Sequence, residues 1–456
     1  MCQWFVLRVG SESICCVTKA VLAGPSLRKP TQSRATSAVA RNAIWMSLGQ
    51  GVRLAIQALY FTVIARSLGV QSYGAFIGAV ALVGVFCPFA SAGRGNILVQ
   101  NVARDRSVFP RMWGAALLTT ISCGMILIGL VTLVSFYVLP ASIPTRLVIS
   151  VAFSDVIGMN LITIAGQAFQ AFEQMNIMAM LNVLVSTARL IAILVLSYYS
   201  HAPSPLQWGY AYSSSTACVS VIACLLVCVK LDRPLVAFPQ SLREIRQGLY
   251  FSFGLSAQTI YNDIDKTMLA RLSTLSATGI YGAAYRIMDV SFAPVSALLY
   301  AAYPNFFRKG AKGITSSLSY AKPLLVRSIA YAVVVAVTIL LCAGLVPHVL
   351  GEQYRDTAEA LRWLAVIPIL KAIHYFLSDA LSGAGHQGIR SAIQVAVAMF
   401  NILINLWLIP RYSWRGAAWS SVASDTLLAL SIAVCALSLT RLDRVALVNY
   451  IETHHV

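Results

Sequence analysis

From residue 42 onward the chain alternates between apolar blocks and short polar breaks. The blocks fall at 42–65, 73–92, 112–139, 145–169, 176–199, 207–229, 247–270, 279–303, 325–346, 360–382, 387–409 and 414–438. Nearly all reach the roughly 20 residues that a helix needs to cross the bilayer's hydrocarbon layer, about 30 Å thick. Pro and Gly recur inside them, at Pro88, Gly124, Pro294 and Pro368. Membrane helices tolerate these residues because neighbouring groups re-satisfy the freed backbone. The pattern predicts an all-α polytopic membrane protein with about twelve transmembrane helices.

Composition points the same way. Of 456 residues, 58% are hydrophobic and 11% charged, and the mean hydropathy is +0.74. Soluble domains carry about 25% charged residues, so a soluble reading is excluded. The net charge of +18 would indicate nucleic acid in a soluble protein. Here the excess sits in short loops beside apolar blocks, where it sets topology, and no nucleic-acid partner is expected. The ten cysteines are scattered through apolar runs without metal or redox spacing, and read as small hydrophobes. No metal site or cofactor is expected.

With the N-terminus in the cytoplasm, thirteen Lys and Arg fall in loops on the cytoplasmic side, eight more in the two tails, and seven on the opposite side. This asymmetry predicts that both termini are cytoplasmic. Residues 1–41, basic and Ser/Thr-rich, read as a disordered cytoplasmic tail without the apolar core of a signal peptide. Residues 42–229 form an N-terminal six-helix lobe, 230–246 a cytoplasmic linker, 247–440 a C-terminal six-helix lobe, and 441–456 a cytoplasmic tail. The lobes resemble each other. ARSLGVQSYGAF at 65–76 recurs loosely as ARLSTLSATGIYGAAY at 270–285, and 166–196 parallels 379–410. Repeats offset by 205 to 213 residues with six spans each share one orientation, which puts a substrate cavity between them.

Charge inside the spans marks that cavity. The stretch Phe251 to Val290 holds Asp263, Asp265, Lys266, Arg286 and Asp289, and ionisable groups at membrane depth face the bundle interior or water. Six cations stand outside the topology count: Arg53, Arg94, Arg189, Lys266, Arg286 and Lys371. Arg53 and Arg189 lie near mid-span, too deep to snorkel. Arg94 and Lys371 lie nearer span ends, where snorkelling is the plain reading. Among the acids, Asp155 and Asp425 lie mid-span with no partner near in sequence. Asp263 has two candidate partners, Lys266 at i+3 and Arg286, level with it across the hairpin.

Three short patterns carry a resemblance. They are Ala-Arg-x-Leu-Gly-x-x-x-Tyr-Gly at 65–74, the stretch from Asp265 to Gly-Ile-Tyr-x-x-Ala-Tyr-Arg ending at 286, and Ile-Pro-Arg-Tyr-(x)3-Gly-Ala-Ala at 409–418. Through these, residues 40–440 resemble the bacterial polysaccharide flippases, the O-antigen and exopolysaccharide repeat-unit translocators of the multidrug/oligosaccharidyl-lipid/polysaccharide exporter superfamily. The turn Ser413-Trp414-Arg415 departs from the Gly-containing turn of many relatives, without consequence expected for the fold. The resemblance implies two six-helix lobes around a central cavity, working by alternating access. It implies transport of an undecaprenyl-pyrophosphate-linked oligosaccharide across the cytoplasmic (inner) membrane, for O-antigen, capsule or exopolysaccharide. Membrane lipid, a polysaccharide polymerase and chain-length machinery are the implied partners.

Such a substrate needs cations for its phosphates, and a guanidinium offers phosphate oxygens a planar fork. Arg53, Arg189 and Arg286 are the expected cationic site, with Arg94 positioned to meet an entering head group. The competing reading has each arginine paired with a buried carboxylate and holding helices together. Asp155, Asp425 and Asp263 are candidates for ion coupling, since a buried carboxylate can bind and release a proton. Three other functions compete with this one. A drug or cation antiporter of the same superfamily would favour a net-negative cavity, against the arginine set. A membrane polymerase or glycosyltransferase would need a larger loop with a carboxylate pair. A peptidoglycan-precursor flippase usually has two more helices. No GxxxxGK[ST] pattern occurs, so the chain is not expected to hydrolyse ATP or to act as an enzyme.

Overall fold

A computed structural model of the chain describes residues 32–102, 104–200, 202–235 and 242–454. The chain divides into two units, Met1–Trp45 and Met46–Val456. Of the first unit, residues 32–45 are helical.

The helices are α1 (Gln32–Ala90), α2 (Arg94–Val102), α3 (Phe109–Val138), α4 (Thr145–Ala152), α5 (Asn160–Ala171), α6 (Met175–Tyr199) and α7 (Pro205–Lys230). They continue with α8 (Leu242–Leu272), α9 (Leu275–Gly310), α10 (Ile314–Cys342), α11 (Val346–Leu350), α12 (Arg355–Leu364), α13 (Ile367–Gly383) and α14 (Gln387–His454). Among the described residues there is no strand. A straight helix of 59 residues would run about 90 Å at 1.5 Å per residue, three bilayer cores, so α1 has to break. It does so at Gly69, whose φ of 72° and ψ of 169° are not helical. Ser413 breaks α14 in the same way, with φ 55° and ψ −134°. Both breaks fall in polar gaps of the hydrophobic pattern.

Seven described stretches are long and apolar enough to span a membrane, and α12 with α13 form an eighth, bent by 46°. The breaks at Gly69 and Ser413 divide two of these; the charge-bearing α8 and α9 are long enough to cross but are not among them. The outward faces are apolar: Ile126, Leu133, Val334 and Leu341 are each more than 60% exposed, which water would penalise and lipid welcomes.

Three boundaries differ from the expectations. Residues 32–41, read as tail, are helical, because the Ala-rich sequence after Pro30 favours a helix. Residues 441–454, also read as tail, continue α14. Between the predicted spans at 73–92 and 112–139 stands an extra helix, α2. The rest of the N-terminal tail, residues 1–31, and positions 236–241 of the 230–246 linker lie outside the described residues.

The two halves meet at the Gly69 end. A Cβ on Gly74 would strike the carbonyl oxygen of Leu275, and a Cβ on Gly279 would strike that of Val70. Val70 and Gly74 sit 205 positions before Leu275 and Gly279, which is the repeat offset seen in the sequence. The contact is therefore reciprocal, as a two-fold relation between repeats requires, and only glycine leaves room for it. Around it, Tyr354 donates to the Ala65 carbonyl (3.1 Å), the Val70 amide to Gln353 Oε1 (3.2 Å), and Arg66 to the His348 carbonyl (2.6 Å). A second seam runs along α1 and α8. Pro88 leaves α1 close to its end, where the final carbonyls lack helical partners. Ser252 donates to the Pro88 carbonyl and Ser256 to that of Val85, each at 2.7 Å.

Candidate functional site

Two cavities flank the seam. The N-terminal one has a volume of about 410 Å³ and is bordered by α1, α2, α5, α6 and α7. Its deepest wall is a π-helical segment, Phe153–Met159, carrying Asp155. Such widened turns shift backbone carbonyls out of register and often mark functional sites. Asn160 repairs this one, its amide donating to the carbonyls of Asp155 and Val156 and across to Cys87. Arg189 of α6 pairs with Asp155 at 3.2 Å, their side chains 18% and 15% exposed. The guanidinium also donates to Thr216 Oγ1 and lies 4.0 Å from the centre of the Tyr212 ring. The Tyr212 hydroxyl in turn donates to Asp155, at 2.9 Å. Asn96, Asn160 and Gln167 complete a mainly neutral, amide-rich wall.

The C-terminal cavity is larger, about 590 Å³, between α8, α9, α13 and the start of α14. Its charges are all matched. Lys266 bonds Asp263 one turn away, Lys371 lies 3.6 Å from Asp289, and Arg390 lies 3.7 Å from Asp379. Tyr285 stands between the two lysines, with ring-to-ammonium distances of 4.9 and 5.6 Å. Behind it Asp425 is buried, accepting from Tyr261 and sitting 3.5 Å from His374 Nε2. Both ring nitrogens of His374 lack a hydrogen bond within the usual geometry.

The sequence-predicted residues therefore divide. Asp155 and Arg189, taken separately from the sequence, are partners. Asp263 is held by Lys266 rather than by Arg286, and Asp425 has partners on α8 and α13. Arg53 and Arg286 stand in no ion pair among the described residues, and Arg53 Nε is buried without a hydrogen bond.

Three placements correct the sequence reading. Arg94 does not snorkel but is 4% exposed at the start of α2, because the chain turns back into a helix there. Lys371 is a cavity-wall residue: it lies at the middle of the predicted 360–382 block and lines the C-terminal cavity from the first turns of α13. Its spacing from His374 and Tyr375, three and four residues on, was the available signal. Arg390, counted as a loop charge, folds back on Asp379 and Ser382.

Comparison with known proteins agrees with this architecture. A family model described as polysaccharide biosynthesis protein matches residues 39–309. No curated protein sequence matches the chain. Among solved structures, an inward-facing multidrug resistance MATE family transporter of the MOP superfamily shares 14% identity. That alignment covers 88% of this chain and 99% of the other, at a TM-score of 0.69. The lipid II flippase MurJ, in an inward closed conformation, shares 11% identity over 85% of this chain and 86% of its own, at 0.67. A MOP superfamily transporter from Pyrococcus furiosus, described as having a binding pocket of reverse polarity, shares 15% over 88% and 96%, at 0.60. At such identities these likenesses establish the fold.

Proposed function

Because this chain belongs to the polysaccharide biosynthesis protein family, we propose that it flips an undecaprenyl-pyrophosphate-linked oligosaccharide repeat unit across the cytoplasmic membrane. One observation carries the proposal. The cations of the two cavity walls each have a carboxylate partner, whereas Arg53 and Arg286 have none among the described residues. A cation without a counter-ion is costly at membrane depth. An anionic ligand removes that cost, and a diphosphate fits the guanidinium fork. A cationic drug would add to the repulsion, so the antiporter reading is not favoured. In this reading both termini are cytoplasmic and the Gly69 end, sealed at Gly74 and Gly279, faces outward. Polymerase and chain-length proteins would act on the product outside. Arg189, held by Asp155, shapes the N-terminal wall, and Asp425 with His374 is the candidate for ion coupling.

The test is polymer display in cells lacking the gene, complemented at matched membrane abundance. Arg53→Ala and Arg286→Ala are expected to lose surface polysaccharide while lipid-linked repeat units accumulate inside. Arg→Lys should restore part of it, since charge survives but the fork does not. Normal surface polymer with both alanine variants would overturn the proposal, and altered resistance to cationic drugs would favour the antiporter.

A further inference from the structure

The C-terminal cavity has a chemistry of its own. A diphosphate site needs surplus positive charge, and this cavity has none: Lys266, Lys371 and Arg390 face Asp263, Asp289 and Asp379. A cation site would need surplus negative charge, which is equally lacking. Two of the carboxylates nevertheless remain open, with the side chains of Asp263 and Asp289 36% and 51% exposed. Their acceptor oxygens are fixed beside the ammonium groups of Lys266 and Lys371. Aromatic rings accompany them. Tyr285 and Tyr375 line the interior, and Tyr300 and Tyr303 stand at the wall, 81% and 41% exposed. Tyr375 packs 5.9 Å from Phe292, and Tyr303 packs 5.1 Å from Phe307, so both rings are held in place.

Exposed ring faces, fixed donor–acceptor pairs and a neutral field together suit one ligand class. A pyranose presents axial C–H groups to a ring face and hydroxyls that donate to carboxylates and accept from ammonium groups. The volume lies within the roughly 300–1,000 Å³ of small-molecule pockets. We propose that the C-terminal cavity, whose lining includes neither Arg53 nor Arg286, is a glycan subsite selective for uncharged sugars. The proposal rests on the flippase reading for its biological substrate, but its chemistry stands on this cavity alone.

The experiment is saturation-transfer NMR on the purified full chain in lipid nanodiscs. The probes are neutral trisaccharides (maltotriose, cellotriose and mannotriose), the acidic trigalacturonate and the cationic chitosan trimer. At least one neutral probe is expected to give signals on its ring protons, with the charged trimers at least fivefold weaker. Asp289→Asn and Tyr303→Phe are expected to reduce the neutral signal several-fold and slightly respectively, while Tyr303→Ala abolishes it. Both positions are exposed, and unchanged thermal melting of each variant establishes that it folds. Absence of signal from every neutral probe, a stronger signal from a charged trimer, or a neutral signal untouched by Asp289→Asn and Tyr303→Ala would overturn the proposal. Failure of the flippase reading shows separately, as normal polysaccharide display in cells lacking the gene. Neutral-glycan binding that depends on Asp289 would then leave the subsite standing.

Discussion

Arg189 and Asp155 show how much one pairing changes. Each is a charge near the middle of a membrane helix, and each alone invites a role in transport. At 3.2 Å, with Tyr212 and Thr216 filling the remaining hydrogen bonds, they first satisfy each other. Removing one partner of a buried pair costs about 3–5 kcal/mol, because the other charge is stranded. Asp155→Asn and Arg189→Gln are therefore each expected to lower the melting temperature in detergent by several degrees. The double variant should recover much of the loss, and a double-mutant cycle measures the coupling. Single variants melting like wild type, with no coupling, would return Arg189 to the pool of free cations. Arg53 and Arg286 lack such a partner, so their alanine variants should fold normally and fail in transport instead.

Among the elements, the two breaks and the reciprocal glycine contact decide the packing. Ser413 holds φ 55° and ψ −134°, a conformation that a residue with a Cβ adopts at a cost of about 1–3 kcal/mol. Its hydroxyl lies 2.6 Å from that of Ser273, which offsets part of the strain. Ser413→Gly is expected to raise stability by about 1 kcal/mol, read as a higher melting temperature. A lower one would mean that the Ser273 bond outweighs the strain. Gly74→Leu should act in the opposite direction on the seam between α1 and α9. A side chain there meets the Leu275 backbone, and overpacking of this kind costs about 1–3 kcal/mol. The halves should part at the Gly69 end. Ala277, 2% exposed, reports the change: Ala277→Cys should react with membrane-impermeant maleimide faster in the Gly74→Leu background. An unchanged rate would mean that this contact does not close the end.

At the scale of the molecule, two half-chains are joined at one end and along one seam, with a cavity in each. The proposed flipping requires the Gly69 end to open. The Val70 amide and the Gln353 side chain bridge the halves there at 3.2 Å. Val70→Cys with Gln353→Cys, joined by a short bismaleimide, should stop polysaccharide display in proportion to cross-linking, while the unlinked variant keeps it. Display that persists at complete cross-linking would rule out opening at this end.

How much of this was legible beforehand depended on the range of the interactions. Hydrophobic blocks of span length fixed the all-α membrane architecture, because a helix in lipid must satisfy its backbone within itself. The 205-residue offset between Ala65 and Ala270 anticipated the Gly74–Gly279 contact, since repeats of one orientation pack about a common axis. The deep arginines were visible as charges that no loop could hold. Which carboxylate each cation meets was not visible. Asp155 and Arg189 lie 34 positions apart, on elements whose rotation about their own axes a one-dimensional pattern does not set. Lys371 faces a cavity because of how α13 is rotated, and Arg390 because it turns toward Asp379, neither of which the pattern sets. Local sequence determined the helices and the charges available to them. Only the tertiary packing, by orienting each helix, decided which charges cancel and that Arg53 and Arg286 have no ion-pair partner among the described residues.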